Sequence, residues 1–167
     1  EADQAGNIYV LDDKAVQIKV YDPQGNFIRA IGRGGQGPGE FQGPRGFYLT
    51  PQQSLAVCDS LSRQVVIFGL DGQFIRALPD KTRSFMEVKV KTEGDIIATQ
   101  MVVGEEAREE LIWFDSELKP LLTVASVQMA KYPVFNPFLP YIYFGFTADG
   151  NVLWGKTTEY VFNVVNA

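Results

Sequence analysis

Ile67-Phe68-Gly69-Leu70-Asp71-Gly72-Gln73-Phe74-Ile75-Arg76-Ala77-Leu78-Pro79 is a second copy of Val20-Tyr21-Asp22-Pro23-Gln24-Gly25-Asn26-Phe27-Ile28-Arg29-Ala30-Ile31-Gly32. Gly72 falls on Gly25 and Phe74-Ile75-Arg76-Ala77 on Phe27-Ile28-Arg29-Ala30, at a constant offset of 47 residues without a gap. Upstream, Asp59 of Val57-Cys58-Asp59-Ser60 falls on Asp12 at the same offset. Fainter copies follow. Glu93-Gly94-Asp95-Ile96-Ile97-Ala98 and Asp149-Gly150-Asn151-Val152-Leu153-Trp154 resemble Gly6-Asn7-Ile8-Tyr9-Val10, and Trp113-Phe114-Asp115 matches Val20-Tyr21-Asp22. Self-similarity at a fixed period marks a repeat architecture.

Within one copy the chain reads as short strands split by turns. Strands are expected near Gly46 to Leu49, Leu55 to Cys58, Arg63 to Phe68 and Gln73 to Leu78. Asp-Gly and Gln-Gly supply the positive backbone angles of tight turns, and β-branched and aromatic residues fill the runs between. A four-stranded antiparallel unit of this length is a propeller blade. The expected fold is therefore all-β: four-stranded antiparallel blades forming an incomplete segment of a propeller, for which the family resemblance given below implies six blades. The units span about 1–32, lacking an inner strand; 44–79; 84–125; and 141–167, lacking an outer strand. Gly104 to Leu111 reads as a polar hairpin extension with room for one helical turn. The half-blades at either end, and Glu1 in place of Met, lead us to expect that the missing strands come from the rest of a longer chain or from another copy.

Composition limits the function. The 167 residues are 46% apolar, with 12 Phe and 7 Tyr, which fits a folded core. A net charge of −5 disfavours nucleic-acid partners. No apolar run is long enough to span a bilayer, and no leader pattern is visible. The chain has no histidine, so His-ligated zinc and His-based triads are absent from these residues. Cys58 sits in the apolar run Leu55-Ala56-Val57-Cys58 and reads as a small core residue, with nothing adjacent to lower its pKa.

From Gly32-Arg33-Gly34-Gly35-Gln36-Gly37-Pro38-Gly39-Glu40-Phe41, through Gly43-Pro44-Arg45-Gly46 and Val57-Cys58-Asp59, to Arg63-Gln64-Val65-Val66-Ile67-Phe68, the sequence resembles NHL-repeat-like bacterial six-bladed propellers. The resemblance implies that the Gly-rich segment crosses from one blade to the next. It implies that Asp59 and Arg63 brace the blade as a pair, with Val16 breaking the pair in the first unit. It also implies a periplasmic, extracellular or lipid-anchored setting, although the sequence alone leaves the location unknown. Lactonases of similar shape hold a channel metal with Glu, Asn and Asp from several blades, so a divalent ion on blades outside this chain stays open. No cofactor is otherwise expected.

Other segments are weighed on chemistry. The Gly-rich run is followed by Pro38 and Gly39 rather than by Lys-Ser/Thr and a helix, so a tight crossing is preferred over a phosphate loop. Asp12-Asp13 and Glu105-Glu106 with Glu109-Glu110 lack the alternating spacing of a calcium loop and read as solvated turns. Arg29 and Arg76 read as edge-strand charges that discourage sheet-to-sheet pairing. The aromatic stretch Tyr132 to Phe146 is the best candidate for partner contact. Arg45, Tyr132, Phe135, Phe138 and Tyr141 are the expected ligand-binding residues; no catalytic residue is assigned. The leading expectation is a non-enzymatic module that binds a protein, peptide or carbohydrate through face or rim loops. The alternatives are a metal-dependent lactonase- or lyase-like propeller enzyme with its ligands on other blades, and a structural module of a larger exported protein.

Overall fold

The computed structural model describes residues 1–103, 106–129, 141–159 and 161–166. It contains four antiparallel sheets in chain order, each a meander. The first holds β1 (Ile8–Asp12), β2 (Gln17–Tyr21) and β3 (Phe27–Ile31). The second holds β4 (Pro44–Leu49), β5 (Ser54–Asp59), β6 (Gln64–Gly69) and β7 (Phe74–Pro79). The third holds β8 (Phe85–Val90), β9 (Ile96–Val102), β10 (Arg108–Phe114) and β11 (Pro120–Gln128). The fourth holds β12 (Ile142–Phe146), β13 (Val152–Lys156) and β14 (Phe162–Val165). This is the expected incomplete propeller, with three strands in the first and last sheets. The segment Arg108–Leu111, read from sequence as part of a hairpin extension, instead begins β10. Its alternate residues bury Glu109 and Leu111, and that period of two is what a strand requires.

The sheets stack face to face, and the side-chain period of two divides the middle strands of the second and third sheets between two cores. Leu55 and Val57 of β5 join Val66 and Phe68 against Tyr9, Ile18, Val20 and Ile31 of the first sheet. Ala56, Cys58 and Val65 face the other way, onto Phe85, Val88, Ile96, Ile112 and Phe114. Ile97, Leu111 and Trp113 then meet Ile142, Phe144 and Val152 of the fourth sheet. A strand buried on both faces needs an unbroken apolar run, and Leu55-Ala56-Val57-Cys58 is one. Complete burial of a Leu55- or Val57-sized side chain stabilises by roughly 1.5–3 kcal/mol.

The repeat extends to turn geometry. Gly6, Gln53, Gly94 and Gly150 each donate N–H to the carbonyl three residues earlier, at 3.0–3.1 Å, just before the second strand of their unit. All four have positive φ, and only Gln53 (φ 58°) is not glycine. Val16 and Arg63, 47 residues apart, share φ 55°. Phe27 packs edge-on against Tyr21, and Phe74 does the same against Phe68.

Arg29 and Arg76 act between blades rather than as lone edge charges. Arg29 Nη1 donates to Leu70 O at 3.3 Å. Arg76 donates to Ser116 O at 2.9 Å and pairs with Glu117 at 2.6 Å. Each reaches the outer turn of the following sheet, because a long side chain on an outer strand can span the gap between neighbouring blades. The Gly-rich crossing is folded over Phe41, whose ring is wholly buried and edge-on to Phe68. Gly32 (φ +74°) lies so close that a Cβ there would sit 2.1 Å from the Phe41 ring. Glu40 closes the loop by accepting from Arg33 Nε and Gly37 N, both at 2.8 Å.

Candidate functional site

In a meander the two ends of a blade differ. One end carries the crossings into the inner strands and the turns between second and third strands. The other carries the remaining hairpin turns. Arg45, Asp59, Arg63 and Tyr141 all lie at the crossing end.

Asp59 is fully buried. Its Oδ2 accepts from Gln42 N at 2.8 Å, and its Oδ1 accepts from Gly43 N at 2.8 Å and Ser62 N at 3.4 Å. Ser60 completes the clasp, donating from N and Oγ to Gly43 O. The expected Asp59–Arg63 pair is not formed. Backbone amides take the lone pairs of the carboxylate, and Arg63 Nη1 turns outward to Lys81 O at 2.6 Å. In the first unit Asp12 accepts instead from Ala15 N and pairs with Lys19 at 2.6 Å.

Arg45 is exposed. It sits in a bulge, since Pro44 pairs with Asp59 and Gly46 with Cys58, leaving Arg45 without an opposite residue. Bulges re-aim side chains at sheet ends. Tyr141 is 40% exposed, and its backbone is held by Thr157 through both N and O. Tyr132, Phe135 and Phe138 lie outside the described residues. Glu109 serves structure: its Oε2 accepts from Ile142 N at 2.8 Å, fixing the start of β12 to β10. Burial pushes the Glu109 carboxyl above the usual carboxylate range, against the pull of that bond. Among the described residues, no group of three or more His, Cys, Asp or Glu gathers as a metal site. Among the described residues no helix is long and apolar enough to cross a membrane.

A cavity of about 420 Å³ opens at the crossing end between the second and third sheets, lined by residues that include Arg63, Arg83, Gln100, Met101, Arg108 and Glu110. Arg83 pairs with Asp80 at 2.6 Å and lies over the Phe114 ring. Arg108 pairs with Glu110 at 2.6 Å, and Gln100 donates to the other Glu110 oxygen at 2.7 Å. Burial raises the Glu110 carboxyl, but these bonds outweigh it and hold the group below the usual carboxylate range. Sequence reading missed Arg83, Arg108 and Gln100. They stand on three separate segments, and no local motif joins them. At the hairpin end a second cavity of about 400 Å³ is lined by Tyr48, Lys91, Glu93, Phe146 and Asp149 among others. There Lys91 is nearly buried, with Nζ 4.2 Å from the centre of the Trp113 ring.

A model of a 6-bladed beta-propeller family matches residues 2–93, more than half of the chain. The chain belongs to this 6-bladed beta-propeller family. No curated protein matches it. Among solved structures, a Bacteroides fragilis protein described as exported aligns with TM-score 0.73 and 16% identity over 99% of this chain and 46% of its own. Virginiamycin B lyase from Staphylococcus aureus aligns with TM-score 0.60 and 11% identity over 100% of this chain and 54% of its own. A Bacteroides uniformis protein described as a 6-phosphogluconolactonase aligns with TM-score 0.56 and 18% identity over 92% and 45%. At these identities the likeness is one of fold. The propeller segment spans about half the length of these structures.

Proposed function

We propose that this segment belongs to an NHL-like propeller that binds a protein, peptide or carbohydrate at its crossing end without transforming it. The observation that carries this reading is the placement at one end of the blades of exposed Arg45 in its bulge, exposed Tyr141 and the arginine-lined cavity. Its test is binding of the full-length protein to peptide and glycan arrays. Arg45→Ala and Tyr141→Ala are expected to weaken the strongest signal at least fivefold. Undiminished binding by both variants, or no array signal, overturns it.

The fold likeness to virginiamycin B lyase and to a lactonase favours a second reading. On that reading the chain is part of a metal-dependent enzyme whose ligands stand on other blades. Full-length protein supplied with divalent metal would then cleave a lactone or a streptogramin B, and chelation would abolish turnover. An inactive metal-loaded protein sinks this reading. Export is part of both proposals, supported by the likeness to a protein described as exported. Cell fractionation that places the protein in the cytoplasm refutes it.

A further inference from the structure

The cavity between the second and third sheets has a charge imbalance that structure alone does not use up. Three guanidinium groups line it, and two are already matched, Arg83 by Asp80 and Arg108 by Glu110. Arg63 has no carboxylate partner among the described residues; its side chain makes one hydrogen bond, to Lys81 O. A guanidinium carries five N–H donors in a planar fork that fits a carboxylate or phosphate. The Nη1 bond to Lys81 O anchors one corner of the fork, and the backbone beneath it is fixed, with Asp80 N donating to Arg63 O at 2.8 Å in a turn with φ 55°. An unmatched cation on a chain of net charge −5 is a local exception to the overall field.

The rest of the lining limits what the anion can belong to. Gln100 uses its amide N–H on Glu110, and Ser84 Oγ donates to Ser60 O. Thr82 Oγ1 donates to Asp80 Oδ1. The oxygens of Gln100 and Ser84 are left as acceptors, and that of Thr82 keeps one lone pair beside the bond it accepts from Arg83 Nη1 at 3.4 Å; these suit ligand hydroxyl groups. Met101 and Val102 supply a short apolar wall. A volume of about 420 Å³ admits a ligand of one or two sugar rings. We infer that this cavity binds a carboxylate-bearing sugar, a uronic acid or its short oligomer, with the carboxylate on Arg63 and the hydroxyl groups on Gln100, Thr82 and Ser84. The inference rests on the crossing-end reading above and names the ligand class for one part of that end.

The test is calorimetric titration of the full-length protein, at fixed ionic strength, with glucuronate, glucose and inorganic phosphate. Glucuronate is expected to bind at least tenfold more tightly than either glucose or phosphate. Arg63→Gln is expected to weaken glucuronate at least tenfold, with Arg63→Lys recovering part of the loss and thermal melting close to wild type. Arg29→Gln, at the outer edge, serves as control and is expected to bind as wild type. Phosphate as tight as glucuronate reassigns the site to any oxyanion and overturns the sugar-acid assignment. Arg63→Gln that binds glucuronate normally overturns the site itself. Loss of glucuronate binding with array binding intact would leave the broader crossing-end reading standing.

Discussion

Asp59→Ala is expected to be among the most damaging single substitutions in the chain, and Asp12→Ala, at the same position of the preceding repeat, among the mildest. Asp59 is 0% exposed and holds two main-chain N–H groups at 2.8 Å, with a third at 3.4 Å. A hydrogen bond to a charged group contributes roughly 1.5–3 kcal/mol, and stranding a buried donor forfeits it in full. Two such bonds imply a gross loss of about 3–6 kcal/mol. Gln42 is exposed enough for water to recover part of this, so a net loss of about 3–4 kcal/mol is expected. Asp12 holds one amide and one lysine at a partly exposed surface, where ion pairs contribute little. Urea denaturation followed by tryptophan fluorescence and circular dichroism measures both variants. Arg63→Ala belongs in the same series, with a double-mutant cycle on Asp59. Because no hydrogen bond or ion pair joins the two side chains and they share no partner, their coupling should be under about 0.5 kcal/mol. Equal losses for Asp59→Ala and Asp12→Ala would refute the claim that amide capture, rather than the carboxylate's presence in the motif, is what stabilises the turn.

Gln53→Gly is expected to raise stability by about 0.5–1 kcal/mol, since φ 58° disfavours any residue with a Cβ and the other three units place glycine there; an unchanged or lower urea midpoint contradicts this. Gly32→Ala is expected to cost about 2–4 kcal/mol, because the new methyl would sit 2.1 Å from the buried Phe41 ring in a left-handed conformation. Trimming the ring with Phe41→Leu in the same chain should recover part of that loss, and no recovery would point to backbone strain alone. Cys58 is buried, and burial pushes its thiol up to about 12. It should resist a thiol reagent in the native protein at pH 8 and react only on unfolding. The same shift sets a sign. The native state keeps the proton more tightly than the unfolded chain does, so this contribution is whole below the unfolded thiol pKa near 8.5 and is lost as pH rises toward 12. Stability of wild type relative to Cys58→Ala should therefore fall between those values, and a flat difference would count against it.

What could be read along the chain is what local chemistry dictates. The 47-residue offset gave the blade period, Asp-Gly and Gln-Gly gave the hairpins, and apolar runs such as Leu55-Ala56-Val57-Cys58 gave strands. These follow from backbone angles and a side-chain period of two, properties of a few neighbouring residues. The same period says which face a residue occupies but not what stands opposite. Only the assembled sheets show that Asp59 serves amides 16 and 17 residues earlier rather than its neighbour Arg63. Only they show that Arg29 and Arg76 tie each blade to the next across 40 or 41 residues. The arginine-lined cavity is of this second kind. Arg63 was read from sequence as a brace, and Arg83 and Arg108 are unremarkable there; they become a site because two sheets bring one turn, one crossing and one strand end to the same gap.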